Sequence, residues 1–508
     1  MKVAIVLDNK SQIESWQLKI VEHLKSSKSY KLELIIETNS SSKCKYPLFS
    51  LQRKIENIIF NFKEENSNLI SDIDTIFSDI DRSKIESYSL DLIIDLSCTI
   101  NKELSSFATH GVWSLYFCNK TYNYKMASID TIVKMKPLIE VELLSIKNGE
   151  TLYIDSAKFN RNFSFVNSNK MALEGSTALL IKYLNILKSE NIELKSYQHT
   201  NIAETFGTMD ILKYLLNFYT TLSYKVYKKI AYKLFKTRYD CWSLFIYRGN
   251  FIETESSNLK PIIPPKDEFW ADPFLFKYKQ KSYLFFENYS YSKAIGKISC
   301  GIVEGDRIVD VIDVLTKDYH LSYPFIYSDS SGIFMIPETS ENRRLEVYKC
   351  VNFPDKWELY STAFEGETIF DTTIYRDKNN QMWLFTNKQS TPNSPVDSEL
   401  YIYKIDSLKL THIEPHLKNP VIINSEVARN GGNIFRNNGD IFRPSQSNID
   451  GIYGKSLNIN KIITLNLKEY KEKRVEVIEP MFDSGLIATH HLSQIDDISV
   501  VDATYKKL

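Results

Sequence analysis

Hydrophobic positions in the first part of the chain alternate between short continuous runs and helical spacing. Residues 2–7 are a short apolar run, 12–24 repeat with helical spacing, and 32–36 are a second run. Residues 51–62 again predict helix. Residues 90–96, within SLDLIIDLS, are almost continuously apolar and fit a strand buried on both faces. A short helix over 102–107 and a strand over 111–117 follow. Segments 138–144 and 151–154 flank Lys147-Asn148-Gly149-Glu150, which reads as a hairpin turn, and 171–188 closes the unit as a helix. This order predicts a doubly wound α/β domain with a parallel sheet over residues 1–195.

A long helix is predicted next, over 209–236, within a connecting segment 196–238. It carries Lys213, Lys225, Lys228, Lys229, Lys233 and Lys236 against one acid, Asp210, with leucines and tyrosines between them. Two readings stay open. The segment can make peripheral contact with an anionic membrane, or it can pack as a connector with its lysines in water.

From residue 239 the helical spacing gives way to short aromatic strands and turns. Five segments share one pattern: 272–287 (DPFLFKYKQKSYLFFE), 323–338 (YPFIYSDSSGIFMIPE), 371–387 (DTTIYRDKNNQMWLFTN), 430–446 (NGGNIFRNNGDIFRPSQ) and 490–502 (HHLSQIDDISVVD). Each has a polar opening residue, an apolar strand, a polar turn, a second strand and a polar closing residue. The openings recur about every 50 to 60 residues, the length of one four-stranded blade. Residues 239–508 therefore predict a five-bladed β-propeller, with 242–247 helping to close the ring.

Composition narrows the function. The chain has 508 residues with Lys+Arg 63 and Asp+Glu 63, so its formal charge is zero and no nucleic-acid partner is expected. No apolar run has the length of a membrane span. The start, MKVAIVLDNKSQ, reads as a strand and not as a secretory signal. Cys44, Cys98, Cys118, Cys241, Cys300 and Cys350 are far apart and fit reduced thiols. A cytoplasmic location is expected, with the inner face of the membrane open to the basic helix. Glycine-rich nucleotide loops and the G-x-S-x-G elbow are absent. His490-His491 lacks acidic or Cys partners at metal spacing, so neither metal nor cofactor is expected.

Both ends of an antiparallel hairpin lie at one edge. If these hairpins are the inner strands, one mouth of the channel gathers Asp272, Glu287, Tyr323, Glu338, Asp371, Asn387, Asn430, Gln446, His490 and Asp502. Arg343, Arg429 and Arg443 stand close to such ends. A carbohydrate or sugar-phosphate ligand suits this funnel. Carboxylates accept from vicinal hydroxyls, aromatic rings cover C–H faces, and arginines hold phosphate. Paired carboxylates also serve glycosidic-bond chemistry as acid and base.

The segments FWADPFLF, HLSYPFIY, IPETSENR, DTTIY, WLFT, RPSQ and ATHHL carry a resemblance. Residues from about 240 to 503 resemble the family named for the N-terminal domain of plant glucosamine inositolphosphorylceramide transferases, whose bacterial relatives look like cytosolic proteins of surface-polysaccharide assembly. The segment is also distantly similar to the five-bladed family 43 glycoside hydrolases. The resemblance implies Asp272 as general base, with Glu338 and Asp371 as the acid and the modulating carboxylate. The family pattern S-A-R-P-A-G stands here as Val427-Ala428-Arg429-Asn430-Gly431 preceded by Glu426, so the arginine stays and the proline is lost. Family R-P-A-Q stands as Arg443-Pro444-Ser445-Gln446, and T-H-x-L as Thr489-His490-His491-Leu492.

The first 195 residues resemble the formyltransferase fold, where a strand ends in N-x-H and an Asp follows. Those positions fall here on Ser114, Tyr116 and Asn148. A tyrosine with a pKa of about 10 replaces poorly for histidine, so the resemblance implies a degenerate formyltransferase site. Three functions remain open: glycan processing at the propeller mouth, glycan binding without chemistry, and amino-sugar N-formyl transfer.

Overall fold

The computed structural model describes residues 1–38, 46–60, 73–77, 82–99, 102–117, 124–188, 190, 192–197, 206–235, 241–249 and 259–505. The chain forms two compact units, Met1–Ser223 with Ser390–Pro395, and Tyr224–Gln389 with Val396–Leu508.

The first unit is built on one eight-stranded sheet. Its strands are β1 (Lys2–Leu7), β2 (Lys31–Glu37), β3 (Asp74–Phe77), β4 (Leu92–Asp95), β5 (Val112–Tyr116), β6 (Leu138–Lys147), β7 (Glu150–Asn160) and β8 (Lys195–Ser196), in the order β3-β2-β1-β4-β5-β6-β7-β8. The first five are parallel, and β4 is buried throughout with β1 buried beyond Lys2, as covered faces require. The expectation of a parallel sheet is corrected for the rest: β6, β7 and β8 run antiparallel. For β6 and β7 the reason is the turn at Asn148-Gly149, where both residues have positive φ and the chain reverses directly. Strand β3 and the helix Arg82–Ser87 had no sequence signal of their own.

Helix Thr208–Phe235 is anchored to this unit by a buried carboxylate. Glu56, in helix Pro47–Phe60, accepts from Tyr214 Oη (2.5 Å), Ser164 Oγ (2.6 Å) and the Val166 amide (3.1 Å). Ile211, Tyr214 and Phe218 form the buried stripe of the long helix, at i, i+3 and i+7.

The second unit consists of five antiparallel sheets arranged as propeller blades. Blade 1 runs Glu268–Tyr278, Lys281–Ser290, Ile295–Glu304 and Arg307–Leu315. Blade 2 is Ser322–Asp329, Gly332–Glu338, Leu345–Asn352 and Lys356–Ala363; blade 3 begins with Ile369–Arg376, Met382–Lys388 and Glu399–Ile405. Blade 4 includes Phe435–Asn437, Asp440–Ile449, Ile452–Leu465 and Tyr470–Ile478. Blade 5 is composite. Its Leu492–Ile495 and Ile498–Tyr505 come from the far end of the chain, and Trp242–Arg248 pairs with the latter from Arg248↔Ile498 to Trp242↔Thr504.

Apolar clusters bridge neighbouring sheets all the way round. Leu244 and Val500 pack with Trp270 and Phe286 between blades 5 and 1. Phe274, Tyr323, Phe325 and Ile374 join blades 1, 2 and 3. Trp383 and Phe385 meet Ala428 and Ile462 between blades 3 and 4, and Leu457 and Ile459 meet Phe245 and Val501 between blades 4 and 5. The ring is closed, so the inner edges of the blades face the central channel and are protected there.

The innermost chain of blade 4 crosses very close to blade 5. Gly432 has φ +139°, and a Cβ there would lie 2.0 Å from the Leu492 carbonyl oxygen. Gly432→Ala should therefore lower unfolding free energy by more than about 2 kcal/mol in urea titration, whereas Gly439→Ala, whose Cβ meets nothing within 4 Å, should cost about 1 kcal/mol. Equal losses for the two would contradict this account of the blade contact.

Candidate functional site

Three blades share one irregularity in their inner pair. Register breaks between Ala271 and Phe274, between Ser322 and Phe325, and between Phe370 and Thr373, each time with two residues facing one. The first residue of each bulge has positive φ: Asp272 (51°), Tyr323 (46°) and Asp371 (41°). Such a bulge re-aims a side chain out of the normal alternation. Opposite the residue before each bulge stand Glu287, Glu338 and Asn387.

These side chains meet across blades. The Asp272 amide donates to Asp502 Oδ2 (3.0 Å), and the Tyr323 amide donates to Asp272 Oδ2 (3.2 Å). Arg429 Nε donates to Asp371 Oδ2 (2.6 Å) and its Nη2 to Glu338 Oε2 (3.3 Å). Gln446 Nε2 donates to the same Asp371 oxygen (3.0 Å), and Asn430 bonds Asn387 and the Asp371 carbonyl. His490 Nδ1 lies 2.8 Å from Asp502 Oδ1 and its Nε2 3.5 Å from Asp272 Oδ1. His491 Nδ1 also lies 3.5 Å from that Asp272 oxygen. One pole of the ring therefore collects residues from all five blades.

Burial and neighbours push the carboxyl groups apart. Burial alone would raise Asp272, but His491, His490 and Arg429 outweigh it and hold Asp272 down at about 2. Glu338 goes the other way: burial and the Asp371 charge raise it to about 8 against the pull of Arg429. Burial lowers His490, yet the Asp502 carboxylate prevails and brings it up to about 9. Near neutral pH Glu338 thus keeps its proton while Asp272, in the same polar cluster, is ionised. Glu287 is raised by burial and faces His320 Nε2 at 3.3 Å. His320 Nδ1 accepts the Gly296 amide at 3.0 Å, so the Nε2 carries the proton that faces Glu287.

Two arginines expected to contact substrate do other work. Arg443 is fully enclosed. It gives Nε and Nη2 to Glu472 (2.8 and 2.6 Å), Nη2 also to the Val427 carbonyl, and Nη1 to the Ala428 carbonyl and Asn430 Oδ1. No direction is left for a ligand; Arg443 holds the loop that presents Arg429. Arg343 is exposed and donates Nε and Nη2 to the Gly366 carbonyl (3.1 and 2.6 Å), apart from the cluster. Tyr323 is also buried, its hydroxyl bonded to both the amide and the carbonyl of Gly432.

The reading from spacing overlooked four contributors. The Arg429 guanidinium lies 5.2 Å from the rings of both Phe370 and Tyr453. The Trp242 ring lies tilted against His490 at 4.1 Å, and Tyr453, at 5.3 Å from that histidine, is 42% exposed. Tyr453 follows a tight turn, where Gly454 (φ +59°) lets the chain pass His490; a Cβ there would come within 2.5 Å of the histidine Cβ. His320 stood at the opening of HLSYPFIY and Trp242 in the ring-closing segment 242–247, but neither had been assigned to the site. The fold also brings one ligand atom each of Asp272, His490 and Asp502 within 4.8 Å of one another, a grouping that chain spacing had argued against. With His490 neutral these groups fit a divalent cation; with it protonated they form a closed ion triad.

In the first unit, Ser114 is buried and donates to Asp95 Oδ2 (3.3 Å). Tyr116 is buried against the edge of Tyr197. Asn148 is exposed at the β6–β7 turn. Val112 pairs with Ile146 and Tyr116 with Glu142, so Asn148 stands at the other end of β5 from Tyr116. The residue across from Tyr116 is Glu142, which accepts Tyr197 Oη at 2.9 Å.

Residues 257–485 match the family described as glucosamine inositolphosphorylceramide transferase 1, N-terminal. Glucosamine inositolphosphorylceramide transferase 1 of Arabidopsis thaliana is 31% identical over 211 residues, covering 41% of this chain and 27% of the plant protein. The protein of the same name from Oryza sativa subsp. japonica is 30% identical over 213 residues, covering 41% and 28%. The chain thus spans less than a third of these relatives' length. Among solved structures, an exo-beta-1,3-galactanase from Phanerochaete chrysosporium is 10% identical with TM-score 0.36, covering 52% of this chain and 60% of its own. An endo-arabinase from Bacteroides thetaiotaomicron is 14% identical with TM-score 0.33, covering 47% and 94%.

The shifted groups make stability depend on pH. Folded Glu338 keeps its proton to about 8, whereas the unfolded chain releases it near 4.5. The folded state therefore binds the extra proton across that window, and the group lowers stability as pH rises. Folded His490, at about 9 against 6.5 unfolded, contributes stability that is complete below 6.5 and lost through 9. The melting temperature should fall between about pH 6 and 9. Glu338→Gln should gain on the parent as pH rises through the lower window, and a gap that does not change with pH would mean that Glu338 is ionised throughout.

Proposed function

We propose that the propeller mouth binds a carbohydrate and acts on a glycosidic bond, by cleavage or transfer, in glycan assembly. The observation that carries this is the divergence of two buried carboxyls in the cluster around Arg429, Glu338 raised to about 8 and Asp272 lowered to about 2. A protonated acid and an ionised carboxylate in one pocket are what glycoside chemistry requires. In this reading Glu338 protonates the leaving oxygen and Asp272 activates the incoming hydroxyl or water. Asp371 keeps Glu338 protonated through its charge, and Arg429 orients both. Tyr453 offers a half-open ring to the C–H face of a sugar.

The cations argue for an uncharged sugar over a sugar phosphate at the centre. Arg429 is engaged by Asp371 and Glu338, and His490 by Asp502 and Asp272. A phosphate there would face carboxylates without a cation to itself. The free thiols Cys98, Cys241, Cys300 and Cys350 support a reducing, cytoplasmic setting for this work.

A second reading, glycan binding without chemistry, draws on Asp272 itself. Both of its oxygens face protein donors, and a group held at about 2 is a weak base near neutral pH. The first unit, in its formyltransferase-like reading, is a degenerate partner in either case. Ser114 and Tyr116 are buried away from Asn148, which disfavours N-formyl transfer.

Aryl glycosides of graded leaving-group ability and nucleotide-sugar donors distinguish the readings. Glu338→Gln should slow turnover of poor leaving groups about 10²- to 10⁴-fold and spare activated ones, while Asp272→Asn should abolish both. Saturable saccharide binding by saturation-transfer NMR, with no turnover of any donor, would establish the binding reading in place of the catalytic one.

A further inference from the structure

We propose that helix Thr208–Phe235 and helix Pro47–Phe60 form a docking face for an anionic lipid bilayer, on which the protein lies peripherally. The long helix has a second stripe away from its anchored side. Met209, Leu212, Leu216 and Tyr219 are all exposed, Leu216 by 68%. At about 100° per residue they fall near one another, roughly opposite to lateral from buried Ile211, Tyr214 and Phe218. The same stripe continues on the helix through Val226, Ile230 and Leu234, which are also exposed. Leaving this many large apolar groups in water is unfavourable, and a contiguous apolar helix face marks an interaction surface.

A second helix contributes. Tyr219, within the stripe, donates its hydroxyl to Gln52 of helix Pro47–Phe60 at 2.9 Å. That helix exposes Leu48, Leu51 and Ile58, the last by 79%. Its one acid, Glu56, is turned inward to Tyr214.

Charge decides the occupant. The long helix carries five lysines and one acid, Asp210. Asp210 is taken up by the Gly207 amide at 2.9 Å. Lys213 lies on one flank of the stripe, and Lys229 and Lys233 on the other; all three are exposed, as is Lys54 on the neighbouring helix. A second copy of this helix would bring lysine against lysine along both flanks and offer no acid in return. An anionic bilayer takes the apolar stripe into its headgroup boundary while the lysines meet lipid phosphates. Tyrosines at such a boundary place their rings in the apolar layer and their hydroxyls in water. Among the described residues no helix is long and apolar enough to cross a membrane, which fits a helix that lies along the surface.

The test is flotation of the full chain with phosphatidylcholine vesicles, with and without phosphatidylglycerol, at low and high salt. Binding is expected only with phosphatidylglycerol and should weaken at high salt. Leu216→Glu with Ile230→Glu should remove it. Lys213→Gln, Lys229→Gln and Lys233→Gln together should weaken it about a hundredfold. Circular dichroism and thermal melts of each variant establish that folding is retained. Any folded variant set that floats like the parent overturns the proposal, as does absence of binding to phosphatidylglycerol vesicles. Light scattering that shows a dimer made monomeric by Leu216→Glu would overturn it in favour of a second copy.

Discussion

The pairing of Trp242–Arg248 with Ile498–Tyr505 is the constraint on which the propeller depends. It joins strands about 250 residues apart, so loop-closure entropy opposes it. Seven cross-strand pairs and the apolar contacts on both sides of blade 5 offset that cost. Asp502 sits in this closing strand and accepts the Asp272 amide from blade 1. Ring closure and the first carboxylate of the site are therefore linked by one hydrogen bond.

Within the ring, the repeated bulge does the positioning. A regular strand would send alternate side chains into the spaces between blades. The two-against-one register turns Asp272, Tyr323 and Asp371 to positive φ instead, at a cost of about 1–3 kcal/mol each. All three are held by partners on other blades: Asp272 by Asp502, Tyr323 by Gly432, and Asp371 by Arg429 and Gln446. The strain is stored where the blades converge. The same convergence forces charges together in a poorly solvated space. Two cations serve several carboxylates, and the carboxyl with the poorest share, Glu338, keeps its proton.

Much of the propeller was legible in the chain. The recurrence of polar residues at both ends of each inner hairpin is a local property, because hairpin ends share one edge whatever surrounds them. Asp272, Glu338, Asp371, Gln446, His490 and Asp502 could thus be placed at one mouth from spacing alone. Arg443 and Gln446 show the limit. They lie three apart in one strand, so the period of two puts them on opposite faces, and only Gln446 reaches Asp371. Motif proximity placed both in the funnel; the pleat separates them. In the first unit, the β-α-β order and the reversal at Asn148-Gly149 were readable, but the antiparallel pairing of β6 with β5 depends on a neighbour in space that no local pattern identifies.

The sequence by itself determined the classes of element, the number of blades, the reversal at Asn148-Gly149 and the amphipathic, lysine-rich helix. These follow from hydrophobic periodicity and turn chemistry, which act over a few residues. Only the tertiary structure decided that Tyr453, Trp242 and Phe370 wall the site, that Arg443 supports rather than contacts, and that Glu338 and Asp272 titrate in opposite directions. Those outcomes depend on which distant groups are excluded from water together, and desolvation is a property of the closed ring rather than of any stretch of chain.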